Sequence, residues 1–174
     1  FFQSVNPLFI MIFAPIYSWL WIKLAQSGKE PAAPYKFSVG LLLLGLGFLV
    51  LNIGKGAAVE GLVPAVFLIT LYLLHTLGEL TLSPVGLSLV TKLAPSQIVG
   101  FLMGIWFLSS SIAHQAGKHI AKFTAVEASE TATAVETLGK AMPVFNLVGL
   151  FAIGSAVLLL LLSPMISRWM HGIK

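Results

Sequence analysis

Glu79 is the residue with the greatest chemical consequence. It lies in the run LITLYLLHTLGELTLSPVGLSLV, and the stretch from Gly61 to Gly78 before it is free of charged side chains. A lone carboxylate facing hydrocarbon costs several kcal/mol or is driven to protonate, so Glu79 is expected to face a water-filled cavity or a cation. A structural ion pair, or a carboxylate held neutral between helices, is the alternative. His75, Glu79 and Ser83 stand at i, i+4 and i+8 and share one helical face. That face combines an imidazole, a carboxylate and a hydroxyl, a set able to bind an amine or pass a proton. His75 serves equally well in interhelical packing, and Ser83 can bond a backbone carbonyl beside Pro84. Pro84 and Gly86 mark either a bend that a gate would use or a static kink.

Further along, Trp106, Ser110 and His114 repeat the i, i+4, i+8 spacing, with Trp106 as pocket wall, gate plug or core residue. His114 lies nearer the polar end and reads as an interface residue. Gln3, Ser4 and Asn6 precede Pro7; Asn6 either contacts a substrate or satisfies a backbone disturbed by the proline. There is no Cys, no phosphate loop, no nucleophile elbow and no metal-ligand spacing, so enzymatic chemistry, a metal site and a bound cofactor are not expected.

These residues need elements that can hold them in lipid. Of 174 residues 57% are apolar and only 9% are charged, with a mean hydropathy of +0.96. A soluble domain carries roughly 25% charge, so a membrane-embedded chain is indicated. The net charge of +4 is spread over the ends of apolar stretches rather than clustered, which argues for headgroup contact and against nucleic acid. Phe1 is not Met and no basic segment follows it, so the chain is expected to be part of a longer one.

Five spans are expected, at about 1–22, 37–54, 61–91, 98–117 and 141–167, with a cytoplasmic loop at 23–36 and an extracytoplasmic connection at 118–140. Lys36 and Lys55 are expected to snorkel from the ends of the short second span. Gly100 and Gly104 form a small-xxx-small pair expected to lie against a neighbouring helix. With the C-terminus inside, Lys23, Lys29, Lys36, Lys92, Arg168 and Lys174 face the cytoplasm, against Lys55, Lys118, Lys122 and Lys140 outside. The positive-inside rule favours this orientation. Residues alone thus imply an all-α transmembrane helical bundle with a polar-lined cavity around a titratable carboxylate.

The segments FQSVNPLFIMIFAPIYSWLW, LGELTLSPVGLSLVTKLAP and GFLMGIWFLSSSIAH together resemble the proton-dependent oligopeptide transporters, a branch of the major facilitator superfamily. The resemblance implies helices eight to twelve of a twelve-helix carrier, the partial C-terminal domain, with helix seven and the N-terminal bundle outside this chain. It also implies proton-coupled symport of di- and tripeptides by alternating access, with the proton as coupling ion and no other cofactor. The lipid bilayer, a bacterial inner membrane with a cytoplasmic C-terminus, is the implied location. In that reading Glu79 meets the peptide amino terminus and couples to the proton, Ser83, Asn6 and Trp106 line the substrate site, and His75 is accessory. His114 departs from the Asn or Gln common in the family and stays outside the site. A drug or sugar carrier of the same superfamily, or a structural membrane subunit, is the competing expectation.

Overall fold

The computed structural model describes residues 4–124 and 133–170. Gln3 and Lys174, named above, and residues 125–132 of the outer connection lie outside the described residues. The described chain is helical almost throughout: α1 (Val5–Gln26), α2 (Ala33–Lys55), α3 (Ala65–Leu93), α4 (Val99–Lys122) and α5 (Ala134–Trp169). Lipid offers no partner to a backbone N–H or C=O, and a helix satisfies both within one segment. Four helices, α1, α2, α3 and α5, are long and apolar enough to cross a bilayer. From Ser109 onward α4 carries Ser109, Ser110, Ser111, His114, Lys118 and His119, which lowers its hydropathy.

The helices run beyond the apolar stretches. α1 continues to Gln26 past Lys23, and α2 begins at Ala33, with Pro34 near the N-terminus where its missing N–H costs nothing, so the turn between them is only 27–32. α5 begins at Ala134 with a reciprocal cap: Glu136 N–H donates to Thr133 Oγ1 at 3.3 Å, and Thr133 N–H donates to Glu136 Oε2 at 3.1 Å. A charged side chain ends an apolar stretch without ending a helix, which is why spans bounded by charge are shorter than helices.

α2 is the centre of the bundle and packs most extensively on α5 and α3, while α1 and α4 attach chiefly to α3. The close contacts are made at glycines. A Cβ placed on Gly45 would stand 2.8 Å from the Gly149 carbonyl of α5, and one on Gly78 would stand 2.8 Å from the Gly40 carbonyl. Both distances are shorter than packed carbon and oxygen atoms allow, so these helices touch at backbone level. The expected pair Gly100 and Gly104 is not used in this way: nothing lies within 4 Å of either Cβ position among the described residues. α4 meets α3 through a different face. Where α2 turns into α3, Gly61 (φ +80°) abuts the backbone of Ala134 and Val135, a position closed to side chains on both conformational and steric grounds.

Toward that end, Leu51, Leu71 and Met142 form a core ringed by Phe48, Phe67, Tyr72 and Phe145, with Phe48 and Phe145 stacked at 5.7 Å. At the opposite end Lys36 does not snorkel. It is 4% exposed, pairs with Glu30 at 2.5 Å, and lies 4.8 Å above the Trp21 ring. The short turn delivers Glu30 to the ammonium, and the ion pair with an aromatic lid replaces contact with water.

Gly45→Leu is expected to lower the thermal stability of the solubilised protein, since the added side chain must displace α5; overpacking of this kind costs about 1–3 kcal/mol. Gly45→Ala should sit between the two, and a thermal-shift measurement on both variants orders them.

Candidate functional site

Asn6 sits in the first turn of α1, and its side chain is directed at α3 rather than at its own backbone. Asn6 Nδ2 lies 3.5 Å from Glu79 Oε2, and Asn6 Oδ1 accepts from Thr76 Oγ1 at 2.6 Å. Thr76 and Glu79 are one turn apart on α3, so a single amide spans both. Among the described residues Glu79 has no cationic partner, and the ion pair found is Lys36 with Glu30. The carboxylate is exposed, the Asn6 side chain is half-buried, and Thr76 is fully buried.

These groups edge a cavity of about 330 Å³ between α1, α2 and α3, lined by Asn6, His75, Glu79 and Ser83 along with the α2 residues Gly40 and Leu44. His75 reaches this cavity while anchored to α2. Its Nε2 is 3.1 Å from the Leu44 carbonyl, which only accepts, so Nε2 carries the hydrogen. Its ring stands edge-on to Phe48 at 4.8 Å and fills the notch left by Gly47. The four polar residues placed on separate sequence segments therefore meet: Asn6 from α1, and His75, Glu79 and Ser83 from α3.

Trp106 is placed elsewhere. Its indole covers Gly86, where an added Cβ would overlap the ring, and it lines a separate apolar cavity of about 400 Å³ with Leu89, Leu93 and Leu102. The use of Gly86 is thus to admit Trp106. α3 runs unbroken through Pro84, with the carbonyl four residues back deprived of its usual donor. His114 is exposed on α4.

Thr76 was not among the residues singled out from the sequence. A polar residue three positions before Glu79 lies on the same face, and that spacing was the available sign. Among the described residues no three His, Cys, Asp or Glu side chains gather as a metal site would require.

Residues 1–140 match a family model described as PTR2, the POT family. The chain is 42% identical over 172 residues to the "Uncharacterized transporter YclF" of Bacillus subtilis, covering 99% of this chain and 32% of that protein. It is 35% identical over 174 residues to "Dipeptide and tripeptide permease B" of Aeromonas hydrophila, covering 98% of this chain and 34% of the permease. Among solved structures, a mutant of the peptide transporter POT in complex with sulfate superposes with a TM-score of 0.80 at 37% identity. That match covers 95% of this chain and 31% of that one. A POT family transporter in complex with 5-aminolevulinic acid gives 0.79 at 32% identity, with the same coverage. The chain spans about a third of the length of the relatives it matches.

Gly86→Val is expected to push the Trp106 indole out of its notch and loosen α4 from α3. With the other tryptophans of the full-length protein replaced by Phe, the emission of Trp106 should shift in Gly86→Val and by less in Gly86→Ala, whose single added carbon already meets the ring.

Proposed function

The chain belongs to the POT family, a multi-pass membrane family, and on that premise we propose that it is the part comprising helices eight to twelve of a proton-coupled symporter of di- and tripeptides. Helix seven and the N-terminal bundle supply the other wall of the substrate cavity and the basic groups for the peptide carboxylate. The proton is the coupling ion, and the location is a bacterial inner membrane with the C-terminus in the cytoplasm.

The observation that carries this reading is the placement of Glu79. It is a carboxylate without a cation among the described residues, on an apolar helix, touching an amide donor and opening on a polar-edged cavity. A negative charge in such a place is stabilised either by a bound proton or by a ligand cation, and the α-ammonium of a peptide is such a cation. Asn6 offers an amide to the same ligand and Ser83 a hydroxyl, while His75, held on the Leu44 carbonyl, shapes the wall. Trp106 acts from the neighbouring apolar cavity, a place for a side chain rather than for a charge. A proton and a peptide ammonium compete for this one carboxylate, so their binding is linked, and carrying both in the same direction requires the displaced proton to stay on a second group supplied by the rest of the transporter. Pro84, one turn beyond Glu79, leaves a helix hydrogen bond unmade at the point where α3 would flex.

In vesicles containing the full-length protein, Glu79→Gln is expected to abolish gradient-driven accumulation of a dipeptide while insertion and some peptide binding persist. Wild-type accumulation with unchanged pH dependence sinks the role. The orientation has its own test, because this chain has no Cys. In a full-length protein freed of other cysteines, single cysteines at positions 29 and 92 should react from the cytoplasmic face, and one at position 60 from the opposite face.

A further inference from the structure

Thr76 is fully buried, and its hydroxyl meets two acceptors: Asn6 Oδ1 at 2.6 Å and the Tyr72 carbonyl at 2.7 Å. A hydroxyl carries one hydrogen, so only one of these can be a full donated bond at a time. Among the described residues, the hydroxyls of the other two fully buried side chains, Thr81 and Ser163, bond only the carbonyl one turn back. Thr76 differs in having a second partner from another helix, and that partner is the amide that faces Glu79.

We infer that Asn6 and Thr76 form a hydrogen-bond relay that carries the charge state of Glu79 into the α3 backbone, with Thr76 as a positioning residue for the carboxylate. This rests on the reading of Glu79 as the titrating group. Two arrangements use the same atoms with no movement of the main chain. With Glu79 ionised, Asn6 Nδ2 donates to Oε2 and Oδ1 accepts from the Thr76 hydroxyl, the arrangement in the structure. With Glu79 protonated, its O–H donates to Asn6 Oδ1, the turned amide donates to Thr76 Oγ1, and the hydroxyl donates to the Tyr72 carbonyl already in reach. The proton remains on Glu79, and Asn6 and Thr76 change only their orientation.

Thr76, the fully buried member, keeps a partner in both arrangements, and a buried hydroxyl left unpaired is costly. The two are not equal in strength. The chain that ends on a carboxylate is charge-assisted, so loss of the Thr76 hydroxyl penalises the ionised form more and favours protonation at higher pH. The other titratable group on this cavity is His75, whose Nε2 is engaged with Leu44, and α1 and α2 bring Asn6, Gly40 and Leu44 to the cavity, none of them charged.

Thr76→Val preserves the branched shape and removes only the hydroxyl. In the reconstituted full-length transporter it is expected to move the pH midpoint of dipeptide uptake upward by about half a unit, the effect of one net hydrogen bond. Thr76→Ser should restore the wild-type midpoint. In an Asn6→Ala background Thr76→Val should add no further shift, since the relay is already cut. If Thr76→Val does not reach the membrane, Thr76→Ala makes the same comparison with Thr76→Ser. A wild-type pH profile in a folded hydroxyl-free variant, an equal shift in Thr76→Ser, or additive shifts with Asn6→Ala would each overturn the relay and leave Glu79 in place. Unaltered proton drive in Glu79→Gln is the separate result that removes the underlying reading.

Discussion

The bundle depends on how closely α2 approaches its neighbours. Gly45 against Gly149 of α5 and Gly40 against Gly78 of α3 bring the α2 backbone up to its neighbours' carbonyls, with the Ile153 and Leu82 side chains seated over the glycines. Lipid-exposed helices gain little from burying apolar surface against each other, because hydrocarbon is an equally good solvent for leucine; dispersion at short range and polar contacts must supply the association. The outer residues reflect this, with Met11, Phe101 and Phe151 largely exposed on the faces of α1, α4 and α5. The glycine contacts fix how near α3 lies to α2. Gly47 then admits the His75 ring, the Leu44 carbonyl holds it, and the carboxylate one turn later is turned away from α2 toward α1.

A polar site in such a frame is assembled from what the close contacts leave over. Glu79 is neither buried in the glycine seam nor turned to the outer apolar faces, and the amide of Asn6 reaches it across the α1–α3 contact. The arrangement provides one titratable oxygen pair with a neutral donor rather than a fixed cation. A fixed cation would hold the carboxylate ionised, whereas an amide can serve either protonation state. That difference separates a group that can load and release a proton from one that merely balances a charge.

Much of this was legible in the chain. The five helices follow from long apolar stretches with charged ends, and the face carrying His75, Glu79 and Ser83 follows from spacing alone. What spacing cannot convey is distance across the fold. Asn6 and Thr76 are 70 positions apart and meet only because α1 packs on α3. Spacing likewise left Trp106 as pocket wall, gate plug or core residue, and the vacant side of Gly86 seats its indole beside a separate apolar cavity. The GxxxG spacing in α4 pointed to Gly100 and Gly104, whereas the glycines that touch other helices lie in α2, α3 and α5, where no short motif sets them apart. Lys36 was misread because its partner, Glu30, sits in a turn whose path the sequence leaves open.

The attachment of both outer helices to α3 has a mechanical meaning. α2 meets both α5 and α3 by backbone contact, while α1 and α4 hang from α3 like two cantilevers on one beam. A small roll of α3 about its own axis would be multiplied along their free lengths, α1 through the Asn6 amide and α4 through the Trp106 indole seated on Gly86. Movement of either outer helix is therefore tied, through one side-chain joint each, to the helix that carries the carboxylate.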